Sequence, residues 1–258
     1  MKLRDSISAA IRTAAAQGEP ALVAFMTAGY PSREQFTSDL RSIAAHSDVV
    51  EIGVPFTDPM ADGVTIQRSS QAALAQGVTL RWILQQLQDL PALDTPLLLM
   101  SYLNPLLALG LPRLAAAAAR ARVAGFIIPD LPLDESTELR RELDAHGIAA
   151  VQMVTPVTRP ERLQRLCADS QGFVYAVTMT GTTGKSVAVP DAVISYLERV
   201  RKLAAVPVCA GFGIRSREQV QRLRGHVDGV VVGSALVEVL ERGDDPGPWL
   251  DALRAPRA

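Results

Sequence analysis

The chain has 258 residues, of which 48% are hydrophobic and 21% charged, and its formal net charge is −1. That balance describes an ordinary globular chain and excludes a basic footprint for nucleic acid or an electrostatic reason to sit on an anionic membrane. Aromatic residues make up only 5%, so the core must rest on Ala, Val, Leu and Ile, a composition that suits aliphatic layers between helices and strands.

At the N-terminus, MKLRDSISAAIRTAAAQGEP carries basic residues and alanines but also Asp5 and Glu19, and lacks the continuous apolar core of a secretory signal. Leu3, Ile7, Ile11 and Ala14 share one helical stripe, so an amphipathic helix leading into the fold is expected. No apolar run is long enough for a transmembrane helix, and a cytoplasmic protein is expected. Strand-like apolar runs then recur at residues 21–27, 49–54, 96–102, 125–128, 149–154, 172–177, 206–210 and 228–232. Helical segments intervene at 33–46, 111–123, 134–146, 159–168, 190–203 and 217–225. Ser32, Asp134 and Ser216 are placed to cap helix starts, Pro190 suits a first turn, and Gly147 and Gly225 suit stops. The stretch 65–90 is longer than one helix needs and is broken at Gly77-Val78-Thr79, which predicts an extra helix there.

Eight strands alternating with helices match a single-domain α/β (β/α)8 TIM barrel over 1–258, with an extra N-terminal helix and extra helices after strands 2 and 8. A doubly wound open sheet is the alternative, because periodicity does not show closure. Cys167 and Cys209 lie far apart in apolar segments and read as buried, inert thiols rather than a disulfide framework. His46, His146 and His226 are isolated near helix ends and lack ligand spacing, so no metal site is expected.

Within this alternation one stretch stands out, DVVEIGVPFTDPMADGVTIQ, residues 48–67. Glu51 interrupts a buried parallel strand, and a carboxylate on a buried face needs a partner, a proton or a job. The loop that follows brings Asp58 and Asp62 between prolines and a glycine. A buried Glu at a strand end followed by an Asp-bearing loop is how a paired acid/base site would be written. In a barrel, active sites sit at the C-terminal strand ends, with a phosphate site recurring after strands seven and eight. Gly211-Phe212-Gly213-Ile214 and Gly233-Ser234 occupy those two places, where backbone N–H groups and a helix N-terminus can face an anion. The Gly/Thr-rich segment 178–189, TMTGTTGKSVAV, would supply a lid and a third wall at residues 181–184. Phe212 could stack on a planar substrate, Tyr102 and Tyr175 could offer hydroxyls, and Asp130, between prolines, could fix a turn.

With these residues assembled, the sequence resembles the tryptophan synthase α-subunit family through FMTAGYP, VEIGVPFTDPMADGVTIQ, SYLNP, FIIPDLP, TGTTG, AGFGI and VVVGSA, which together span nearly the whole chain. The resemblance implies a (β/α)8 barrel that cleaves indole-3-glycerol phosphate to indole and glyceraldehyde 3-phosphate, a retro-aldol lyase step in tryptophan biosynthesis. A stand-alone lyase that releases free indole is the alternative. It implies Glu51 as general acid/base and Asp62 as the carboxylate pairing with the indole N–H. It further implies Phe212, Tyr175 and Thr183 at the substrate, beside Tyr102 as already read from its strand end, Gly184, Gly213, Gly233 and Ser234 at the phosphate, and Asp58 in loop order and partner contact. A β subunit in an αββα heterotetramer is implied as partner, with pyridoxal phosphate belonging to that partner and no cofactor or metal in this chain. Two departures stand out: Lys185-Ser186 follows TGTTG where Ala-Arg is usual, and Val64 replaces a frequent Pro.

Overall fold

The structure is a computed structural model that describes residues 2–178, 189–211 and 213–254. Eight parallel strands close into a barrel in chain order: β1 (Ala21–Thr27), β2 (Val49–Gly53), β3 (Leu97–Met100), β4 (Val123–Ile127), β5 (Ala149–Val154), β6 (Val174–Val177), β7 (Val208–Gly211) and β8 (Gly229–Val232). Closure comes from β1 pairing with both β2 and β8, so the open-sheet alternative is excluded. Around the barrel run α1 (Leu3–Ala16), α2 (Phe36–Ala45), α3 (Val64–Ala75), α4 (Leu80–Asp89), α5 (Leu103–Leu109), α6 (Leu111–Arg120), α7 (Thr137–Ala145), α8 (Pro160–Asp169), α9 (Asp191–Leu203), α10 (Arg217–Leu223), α11 (Ser234–Glu241) and α12 (Pro246–Ala252). The expected extra helices are α1, one of the pair α3/α4 and one of the pair α11/α12.

Helix α5 was not expected. Residues 102–105 are the loop after a strand in the sequence reading, but Pro105 falls in the first turn of α5, where its missing N–H has no intrahelical partner to lose. Two expected caps also differ. Ser32 bonds Glu34 in the turn before α2, which starts at Phe36. Asp134 sits in a short 3-10 turn and pairs with Arg162 and Arg165 instead of capping α7. Ser216 does stand at the N-cap of α10, where its N–H donates to Gln219 Oε1 at 3.2 Å.

Small residues fill the lower barrel. A Cβ on Gly125 would meet Leu98, Ala149 and Ile7, and one on Gly229 would meet the Cys209 sulfur at 2.7 Å. Helix α1 closes this end: Ile7 and Ile11 are fully buried, Arg4 N–H donates to the Gly147 carbonyl, and Ser8 Oγ donates to the Gly172 carbonyl at 2.5 Å. The same end carries a recurring clasp. Asp48, Gln171 and Asp228 each precede a strand, and each side chain accepts the first amides of the neighbouring strand: Leu22 at 2.7 Å, Ala150 at 3.0 Å and Val208 at 2.8 Å. Arg254 then bonds Asp48 at 2.6 Å, and Arg201 bonds Asp228 at 2.9 Å. Register is thereby pinned at the bottom, which leaves the top free to carry loops.

Cys167 and Cys209 are both buried and unbridged. The three histidines bond Asp251, the Glu142 carbonyl and Glu198 at the surface. Among the described residues no cluster is able to hold a metal ion, and no helix is long and apolar enough to cross a membrane.

Candidate active site

The site grows from β2. Residues 49, 51 and 53 share one face of the strand, and the ring of Phe25, in register with Glu51 on β1, lies where a Cβ on Gly53 would be, at 2.6 Å. Glu51 therefore stands in the barrel interior beside Phe25 and is 1% exposed. Its Oε2 has no hydrogen-bond partner among the described residues. Burial pushes its pKa up to about 8, and the nearby Asp62 charge adds to the rise. At neutral pH this is a protonated acid, because among the described residues no cation offsets the cost of desolvating the anion.

Asp62 arrives by a different route. Its loop leaves β2 through Phe56, whose N–H donates to Ser70 Oγ at 2.8 Å, and enters α3 at Gly63. Burial raises the Asp62 pKa to about 6, opposed by a hydrogen bond from Tyr102. Asp62 thus ionises before Glu51, which explains why the Asp62 charge weighs on Glu51. Two carboxyls pushed to different values, one neutral and one charged at pH 7, divide into an acid and an anion.

Tyr175 on β6 is buried, and the Glu51 charge joins burial in holding its phenol well above the ordinary value. Its hydroxyl occupies the space a Cβ on Gly211 would need, at 2.4 Å. Gly211 was expected in the phosphate loop. It is the last residue of β7 instead, and its missing side chain is what admits Tyr175 next to Glu51. Tyr102 caps the start of α5, with its ring stacked on Phe56 (centroids 4.9 Å apart) and its hydroxyl on the Asp62 loop. Asp130, from the loop after β4, accepts the Leu103 N–H at 2.9 Å and so completes the α5 N-terminus. That cap between two loops was not visible in the sequence.

Gly213 follows β7 with φ +84°, a left-handed conformation that favours glycine. Gly233 precedes α11 and Ser234 begins it, which puts free N–H groups at the top of the barrel. Asp58 is exposed at the outer end of the Asp62 loop, where Thr57 Oγ1 donates to it at 2.5 Å. Thr183, Gly184 and Phe212 lie outside the described residues.

The family model for the tryptophan synthase alpha chain matches residues 11–252. A tryptophan synthase alpha chain from Nitratidesulfovibrio vulgaris (strain DP4) is 44% identical over 244 residues, covering 94% of this chain and 95% of that protein. One from Carboxydothermus hydrogenoformans is 41% identical, covering 87% and 85%. Among solved structures, Mycobacterium tuberculosis tryptophan synthase superposes with a TM-score of 0.88 at 31% identity, covering 96% of this chain and 98% of that one. Tryptophan synthase subunit alpha from Legionella pneumophila superposes at 0.86 and 30% identity, covering 98% and 97%. A family match over almost the whole chain agrees with the closed barrel and the paired carboxyls, and this chain belongs to the tryptophan synthase alpha chain family.

Proposed function

We propose that the chain, working as one cytoplasmic catalytic domain, cleaves indole-3-glycerol phosphate to indole and glyceraldehyde 3-phosphate in tryptophan biosynthesis. The observation that carries the mechanism is the neutral, enclosed Glu51 beside the ionised Asp62. Glu51 gives its proton to indole C3, and positive charge spreads to the ring nitrogen, where Asp62 offsets it. The resulting Glu51 carboxylate takes the proton of the glycerol hydroxyl next to the ring. The bond from C3 to that carbon then breaks, its electrons restore the indole ring, and the hydroxyl carbon becomes the aldehyde. Glu51 ends protonated, so one group serves both transfers, each of the kind that contributes roughly 10²–10⁴-fold. Gly213, Gly233 and Ser234, with Gly184, hold the phosphate, while Phe212, Tyr175 and Thr183 surround the ring.

Indole passes to a β subunit that carries pyridoxal phosphate, in an αββα assembly. Support comes from the loop after β2, where Met60 and Val64, close to Asp58 in the chain, are 85% and 77% exposed. Apolar side chains exposed beside a site mark a surface for a protein partner. The direct test is indole release from indole-3-glycerol phosphate by the chain with and without a β subunit. Release that the partner stimulates is the expected result. No release in either case overturns the proposal.

A further inference from the structure

The Asp62 loop poses a physical problem. It carries the carboxylate that must meet the ring nitrogen, yet Thr57, Asp58, Met60, Ala61 and Gly63 around it are exposed. A Cβ added at Gly63 would meet nothing within 4 Å. Within the loop, Asp62 N–H donates to the Pro59 carbonyl at 3.1 Å, and Gln67 bonds the Asp62 carbonyl at 2.8 Å. Neither contact fixes the carboxylate. The barrel's hold comes from Tyr102, at the end of β3. Its ring is 5% exposed and stacks on Phe56. Its hydroxyl accepts the Ala61 N–H at 2.8 Å and donates to Asp62 Oδ2 at 3.3 Å.

A phenol has one proton to give. Here it is directed at Asp62, so it is not available to a substrate oxygen. We propose that Tyr102 is a positioning residue that acts through Asp62, its hydroxyl locking backbone and carboxylate of the loop together at the ring nitrogen's position. This revises the substrate contact expected of Tyr102, and it rests on the reading of Asp62 as the charge partner of the indole ring. The 3.3 Å donor bond is long, as such bonds are before substrate closes the site. Electrostatics agree: the Tyr102 bond lowers the Asp62 pKa against burial, and burial and the Asp62 charge hold the Tyr102 phenol above its ordinary value. Among the described residues, the groups facing this pair are Glu51 from β2, Tyr175 from β6 and, toward Tyr102, Asp130 after β4. None of them is a cation that could keep Asp62 charged in place of Tyr102.

Tyr102→Phe tests this, since it keeps the stacked ring and removes the hydroxyl. In the full chain with indole-3-glycerol phosphate, kcat should fall about tenfold, the low end for a hydrogen bond to a charged group, while KM stays within about threefold. The acid limb of kcat/KM should rise by about one pH unit. In an Asp62→Asn background the same substitution should change kcat little, because both variants remove one interaction. A ¹³C titration of the Asp62 carboxyl without substrate should show its midpoint raised in Tyr102→Phe. An unchanged midpoint, or effects on kcat that multiply fully with those of Asp62→Asn, overturns the positioning role even where wild type is active. Wild-type protein that releases no indole overturns the functional reading and this role with it.

Discussion

Replacing Glu51 with Gln should make the protein more resistant to unfolding as pH rises, although it abolishes turnover. The Glu51 pKa stands at about 8 in the fold against 4.5 for the free group. Between these values the folded chain keeps a proton that the unfolded chain has released. Wild-type stability therefore falls as pH rises through that window and flattens above about pH 8. Each pH unit is worth about 1.4 kcal/mol, so the full window amounts to about 5 kcal/mol as an upper bound. Gln cannot titrate. Any fixed penalty for its buried amide offsets the curve without changing its slope. Urea denaturation of both proteins at pH 5.5, 7.0 and 8.5 (values chosen to bracket about three of those units) should show the stability difference moving toward the variant at each step. A difference that stays constant with pH would mean that Glu51 ionises normally in the fold, and the argument from desolvation would fail.

Other outcomes follow from the same geometry. The pH profile of kcat/KM should be a bell with an acid limb near 6, where Asp62 must ionise, and an alkaline limb near 8, where Glu51 loses its proton. Persistence of the alkaline limb in a Glu51 variant with residual activity would contradict the assignment. Gly211→Ala puts a methyl where the Tyr175 hydroxyl sits, 2.4 Å away; it should cost about 1–3 kcal/mol of stability, and indole release should fall more than tenfold, about what a 1 Å misplacement costs. Two Tyr175 ring carbons lie 2.5 and 2.6 Å from the added methyl as well, so adding Tyr175→Val, which removes the whole ring, should recover more of that stability in thermal melts than adding Tyr175→Phe. Tyr196→Phe removes a buried hydroxyl with no partner among the described residues and should stabilise the chain by about 1 kcal/mol, read as a raised urea midpoint with an unchanged m-value.

How much of this could be read from the sequence depends on how local each signal is. Glu51 was visible because a carboxylate breaks an otherwise apolar strand, and the strand period assigns its face. The barrel was visible because eight apolar runs recur with helices between them, although only the β1–β8 pairing shows closure. Tyr102 was visible as a residue near a strand end but not as the anchor of Asp62, because that contact joins the loops after two different strands. Asp130 as the cap of α5 escaped for the same reason. Gly211 carried a signal, a glycine pair around Phe212, that pointed to a turn. Its use depends on Tyr175, a neighbour across the sheet, and no spacing in the chain shows that. Helix α5 was hidden by Pro105, whose effect on a helix depends on which turn it occupies.

The seal at the lower end also bears on how the molecule comes to exist. Helix α1 is made before the barrel, yet Ile7 comes to rest against positions 125 and 172, and Arg4 and Ser8 bond the carbonyls of Gly147 and Gly172. None of these landing points exists when α1 is synthesised. Its apolar stripe must wait, unburied, while the middle of the chain is added, and contacts between residues so distant in sequence form slowly. A helix made before the barrel is therefore among the latest elements to dock, and damage to its stripe should show in newly made chains before it shows in finished ones.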